Sequence, residues 1–239
     1  MAETPPQNGH HETLTIAHTS DLHIGGRWQA DAELKSLRAV LEATAEAAAH
    51  VLILAGDVFD TNRTPLPIVE RAANMLADAA SRVVVLPGNH DPATKDAVYR
   101  LRELDDVANV HVIGVSVADT VQFADLDLDV WGTAHFDYVD MSPLAEPRAR
   151  EAKWLVAVAH GHYVRGPHDH HRSWLIHDHE INATRADYVA LGHWDVPQPA
   201  GDGSVPAYYS GSPDVAKTVN VVRLAPEGVE VRRHPLHLD

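Results

Sequence analysis

Five short apolar runs rich in Val, Leu and Ile each end at a compact polar block, and this recurrence limits the chain to few folds. Leu14 to Ala17 leads to Asp21-Leu22-His23, and Val51 to Ala55 leads to Gly56-Asp57-Val58-Phe59-Asp60. Val83 to Leu86 leads to Gly88-Asn89-His90-Asp91, Leu155 to Ala159 to His160-Gly161-His162, and Tyr188 to Leu191 to Gly192-His193-Trp194-Asp195. Each run reads as a buried strand that stops at its chemistry. In an α/β sheet the loops at the carboxyl ends of neighbouring strands open into one crevice, so blocks far apart in sequence can meet there.

Between the blocks the helical signals alternate with the strands. Leu34, Leu37, Val40 and Leu41 recur at helical spacing after Asp31, which predicts a helix over about 31–50 with Asp31 as its N-cap. Further helices are expected over about 65–80, starting near Pro65 and Pro67, over 94–104, and over 143–152. Short strands are expected over 110–113, 121–123 and 128–131. After the last block, 207–210, 219–224 and 229–234 read as antiparallel, the last pair turning at Pro226-Glu227-Gly228. Two sheets packed face to face with helices outside account for this order. One domain over 14–239 is expected, behind a disordered leader over 1–13 that carries Pro5 and Pro6 and no apolar segment of secretory type.

The chemistry of the blocks is that of cation ligands. With no cysteine in the chain, thiolate sites are excluded and His, Asp and Asn remain as donors. Asp21 and His23 can face one ion while Leu22 points to the core. Asp57 is the best candidate for a carboxylate shared by two ions, with Gly56 allowing close backbone approach and Asp60 orienting a ligand. Asn89 offers an amide oxygen, His160 and His193 offer imidazoles, and Asp195 can reach a second ion. His162 competes with His160 for the same role, although His160 lies nearer the strand end. Any one block alone is better explained as a helix cap or turn. Five in this arrangement are better explained as a binuclear centre. His90, next to Asn89, suits a proton donor to a leaving oxygen or a stabiliser of phosphoryl charge.

The set and its order resemble the calcineurin-like metallophosphoesterase family, with its D-x-H, G-D-x-x-D, G-N-H-D and G-H-x-H elements. The resemblance implies an α/β, four-layer αββα sandwich, hydrolysis of phosphoesters, and two divalent ions among Mn, Fe, Zn and Mg. Carried over by position, Asp21, His23, Asp57 and residue 195 would hold one ion, and Asp57, Asn89, His160 and His193 the other, with His90 as the catalytic histidine. Water shared by the ions would then attack phosphorus. Residue 195 departs from the pattern: Asp stands where the family has His, which favours a hard ion, Mn before Zn. His18 to His23, Gly56 to Thr61 and Tyr209-Ser210-Gly211-Ser212-Pro213 are similar to the SbcD branch of DNA-repair exonucleases.

Charge bears on the substrate. Asp and Glu number 34 against 19 Lys and Arg, a formal charge of −15, and such a surface repels a phosphate backbone. A small phosphodiester or nucleotide therefore suits the chain as a whole, whereas single-stranded or nicked DNA suits the SbcD-like elements. A third reading is a metal-binding scaffold without turnover. Arg27 and Arg63 are candidate phosphate clamps or surface ion-pair residues. The His-rich stretch 168–179 reads as a solvated loop, with a further metal or phosphate contact as its alternative. No membrane span is expected, the cytoplasm is the expected location, and a homodimer is compatible with the chain.

Overall fold

The structure is a computed structural model and describes residues 12–26, 30–101, 104, 107–169 and 171–238. Residues 1–11 of the leader expected over 1–13, Arg27 and His170 lie outside the described residues.

All five apolar runs are strands: β1 (Leu14–Thr19), β2 (Val51–Ala55), β3 (Arg82–Leu86), β7 (Trp154–His160) and β10 (Tyr188–Gly192). With β4 (Val110–Val112), β13 (Thr218–Ala225) and β14 (Gly228–Pro235), the first three form a mixed sheet in the order β14-β13-β1-β2-β3-β4. The other two join β5 (Thr120–Phe123), β6 (Leu128–Gly132), β11 (Gln198–Ala200) and β12 (Ala207–Tyr209) in a second mixed sheet, β11-β12-β10-β7-β6-β5. Helices α1 (Ala30–Glu46) and α2 (Leu66–Ala77) follow β1 and β2, and α3 (Asp178–Thr184) precedes β10.

The period-2 alternation of side chains assigns each strand residue to a layer. Along β2, Leu52 and Leu54 pack with Leu37, Val40, Val69 and Leu76 of α1 and α2. Val51 and Ile53 turn the other way and pack with Val156, Val158 and Tyr188 of the second sheet. Along β7, Leu155, Ala157 and Ala159 face outward onto a cluster that includes Ile181 of α3. Three apolar clusters between four layers are the αββα sandwich. Pro226 and Glu227 are the loop of the β13–β14 hairpin, since Ala225 pairs with Gly228. Among the described residues no helix is long and apolar enough to cross a membrane.

Three expectations are corrected. Over 94–101 there is only a 3-10 turn, Val98–Arg100, because side chains take the backbone groups a helix would use: Asn62 Oδ1 accepts from Val98 N at 2.9 Å and Asn62 Nδ2 donates to the Pro92 carbonyl at 2.8 Å. Over 143–152 no helix forms. Pro147 cannot donate to the carbonyl of Pro143 and its ring would collide with it. Finally, β12 is parallel to its neighbour β10, and its antiparallel partner is the unforeseen β11.

Candidate metal centre

Carboxyl ends of β1, β2 and β3 meet those of β7 and β10, and the polar blocks line the junction. His160 closes β7 with no exposure and is fixed by its surroundings. Its Nδ1–H donates to the Ala55 carbonyl at 2.9 Å, which leaves Nε2 facing two oxygens, Asn89 Oδ1 at 3.1 Å and Asp57 Oδ2 at 3.2 Å. A neutral imidazole with Nδ1–H has a lone pair at Nε2, so three electron-rich atoms converge. A cation placed between them would satisfy all three. Burial disfavours an imidazolium, but Asp57 outweighs it and the His160 pKa is pushed up to about 10. Asp57, also buried, is penalised by desolvation yet held well below the usual carboxylate range by His160.

Asp57 Oδ1 accepts the His90 amide at 2.9 Å. Asp21, His23 and Asp57 bring one ligand atom each within 4.8 Å of one another. Asp21 is buried, and burial, opposed by His160 and reinforced by Asp57, raises its pKa. Its Oδ2 accepts the His193 amide at 2.9 Å, tying the first block to the last. The His193 ring lies 5.3 Å from that of His160, and burial together with His160 lowers its pKa to about 3, so it presents a neutral ring. A second grouping joins His23, Asp60 and His90. Asp60 Oδ1 is 3.4 Å from His23 Nδ1 and 3.8 Å from His90 Nδ1, and the Asp60 carbonyl accepts His90 Nδ1–H at 3.1 Å. Asp60 thus orients the His90 ring through its carbonyl and places its carboxylate beside the His23 ring.

Backbone strain collects here. Asp21, His23, Asp57 and His193 have φ of 56°, 48°, 51° and 107°, a region that non-glycine residues seldom occupy. Such strain persists where surrounding structure over-determines it, which is characteristic of functional sites. Two glycines permit the junction. A Cβ on Gly56, at φ 91°, would run into the His160 ring, and one on Gly192 would run into the Ala55 carbonyl.

Asp195 is exposed and belongs to neither grouping of ligand atoms. His162 has both ring nitrogens engaged, Nδ1 accepting Trp194 Nε1–H at 3.1 Å and Nε2 donating to Asp169 Oδ1 at 3.3 Å. Arg63 is exposed, with Asp96 in its field. In the His-rich stretch the His177 and His179 rings stack at 5.4 Å.

Sequence reasoning missed His135. Its Nε2–H donates to the His160 carbonyl at 2.8 Å, and its ring meets Trp174 at 5.4 Å, while Trp174 meets His193 at 5.9 Å. A histidine three residues beyond β6 was the available signal. Asp91 was missed as an anchor: fully buried, it accepts from Gly88 N and Phe59 N, both at 2.8 Å, and from the Tyr99 hydroxyl, locking the second block to the third.

Over residues 14–197 the sequence matches the calcineurin-like phosphoesterase family. The chain belongs to this family. Its relatives include the SbcD subunit of the nuclease SbcCD of Bacillus subtilis (strain 168), 25% identical over 264 residues, which span 89% of this chain and 67% of that protein. The crystal structure of TT1561 of Thermus thermophilus superimposes with a TM-score of 0.62 at 13% identity, covering 92% of this chain and 99% of that one. Another solved structure reaches 0.64 at 12% identity, covering 94% and 100%. The superpositions establish the fold, and the family match establishes a phosphoesterase relationship with divalent metals typical of it.

Proposed function

We infer that this phosphoesterase works through two divalent ions, one held by Asp21, His23 and Asp57 and the other by Asp57, Asn89, His160 and His193. The observation that carries this reading is His160, whose Nε2 faces Asn89 and Asp57 oxygens with its other nitrogen committed to Ala55. That donor set of carboxylates, an amide oxygen and imidazoles fits Mn best, with Fe, Zn or Mg as alternatives. Ions held by these residues would lower the pKa of a water and neutralise charge on the phosphoryl oxygens.

The chain's own residues supply the rest. Water oxygen bonds to phosphorus as the bond to the leaving oxygen breaks, and that oxygen needs a proton. His90 is poised to give it, because Nδ1–H is committed to the Asp60 carbonyl and Nε2 is the nitrogen left for substrate. In its imidazolium form, with the Asp60 carboxylate 3.8 Å from Nδ1, His90 donates from Nε2 and ends neutral. Asp195, exposed, lies outside this ligand set.

Its substrate is a small phosphodiester or nucleotide, in keeping with the formal charge of −15, and its place the cytoplasm. A second reading, cleavage of DNA, is favoured by the likeness to the SbcD subunit of the nuclease SbcCD. The test loads purified protein with Mn, measures bound metal, and screens mono- and diesters alongside single-stranded and nicked DNA. Two ions per chain and turnover of a chromogenic phosphodiester are expected. Fewer than one ion per chain with no turnover of any ester would overturn the reading.

A further inference from the structure

In this acidic chain Arg82, Arg148, Arg150, Arg223 and Arg232 each pair with a carboxylate. Arg165 does not pair among the described residues, although it lies beside the candidate metal centre. Its guanidinium carbon sits over the Trp194 ring, 4.6 Å from the centroid. Tyr209 stacks on the same indole at 4.4 Å and 15°, so tyrosine and arginine must occupy opposite faces. The acid nearest in sequence, Asp169, is already committed: Oδ2 accepts the backbone N–H of Arg165 at 2.8 Å and of Gly166 at 3.1 Å, and Oδ1 accepts from His162 at 3.3 Å. Those bonds fix the loop after β7 and leave the guanidinium free of an acid.

The same parts fix Arg165 relative to the metal centre. Trp194 follows His193 directly, its Nε1–H is anchored on His162 Nδ1, and the His162 ring stands 5.1 Å from Trp194 and 6.1 Å from His193. Three contacts, through the rings of His162 and Trp194, therefore link His193 to the guanidinium. A guanidinium reached through two intervening rings suits an anion one group further along the substrate than the phosphate undergoing hydrolysis. Resting on the phosphoesterase reading, the geometry points to Arg165, seated on Trp194, as a subsite for a second phosphate of the substrate.

A phosphate is favoured over a nucleobase because both faces of Trp194 are covered, which leaves no bare indole for stacking. What the subsite offers is a guanidinium with five N–H donors whose fork matches phosphate oxygens. The chain's net negative charge would otherwise repel a doubly phosphorylated ligand. A weakly hydrated cation held against an indole, rather than neutralised by a carboxylate, is the local remedy.

The test compares binding of a deoxynucleoside 3′,5′-bisphosphate and the 5′-monophosphate to Mn-loaded protein by calorimetry, with wild-type hydrolysis of a chromogenic phosphodiester as a parallel measurement. Wild type should bind the bisphosphate roughly threefold to fivefold more tightly, the scale of a charged contact at an exposed site. Arg165→Gln should bring the ratio to near one, and Arg165→Lys should restore part of it. A ratio near one in wild type, or one unchanged in Arg165→Gln, overturns the subsite while active hydrolysis leaves the phosphoesterase reading standing. No binding of either nucleotide together with no hydrolysis overturns both.

Discussion

The two sheets bring unlike chemistry to the centre. The first contributes the hard donors at the ends of β1, β2 and β3: Asp21, Asp57 and Asn89, with His23 as its one imidazole in the proposed ligand set. The second contributes imidazoles, His160 and His193 at the ends of β7 and β10, and the aromatic wall of Trp174 and Trp194. Neither half alone could neutralise itself. Burial, reinforced by the neighbouring Asp57 carboxylate, raises the pKa of Asp21, and burial, reinforced by the neighbouring His160, lowers that of His193. The centre is thus a property of the seam between sheets, and the seam is closed by backbone contacts through Gly56 and Gly192.

Removing the shared charge should break the comparison most completely. Asp57→Asn deprives both halves of their common partner, so activity should fall to background and metal content should drop with it. Atomic absorption beside an ester assay checks this, and an unchanged metal content would show that Asp57 is not the bridge. His90→Asn should separate chemistry from assembly: turnover falls by ~10²–10⁴-fold while both ions remain. Equal metal loss in the two variants would make His90 a ligand.

The seam itself is tested by Gly56→Ala, which puts a methyl into the His160 ring at a backbone angle that alanine tolerates poorly. A loss of roughly 2–5 kcal/mol is expected from overpacking and strain together. Gly203→Ala, also at positive φ but with nothing within 4 Å, is the control and should cost about 1 kcal/mol. Similar urea midpoints for the two variants would show that the sheets do not depend on close approach at Gly56.

The smallest expected effect concerns acid. His18 on β1 is buried with Nδ1 on the Tyr188 hydroxyl at 2.9 Å, and burial lowers its pKa to about 3. The unfolded chain takes up that proton near pH 6.5, before the folded one does. Stability should therefore fall as pH drops from 6.5 towards 3, by up to about 1.4 kcal/mol per pH unit from this residue. His18→Gln should flatten the slope in urea titrations at pH 7 and 5; an unaltered slope would remove His18 as the cause.

Much of this was legible in the chain. Continuous apolar runs marked the five central strands, and the polar blocks at their ends marked the residues that the structure gathers: Asp21, His23, Asp57, Asn89, His160 and His193. Less was legible wherever a non-local partner decides. Asn62 captures the backbone near Val98 and prevents the expected helix, and Asp187 and Asp119 hold Arg150 and Arg148 in an irregular segment.

The sequence by itself determined where the central strands lie along the chain and the identity of the donors, because apolar runs and donor chemistry are local properties. Tertiary structure decided which donors are free to act. His160 and His162 look alike in the chain, yet one has an open Nε2 facing two oxygens and the other has both nitrogens bound by Trp194 and Asp169. Arg63 and Arg165 look alike too, yet Arg165 lies on an indole beside the centre while Asp96 stands in the field of Arg63. The reason is physical: what a polar atom can do depends on which partners already satisfy it, and those partners come from the other end of the chain.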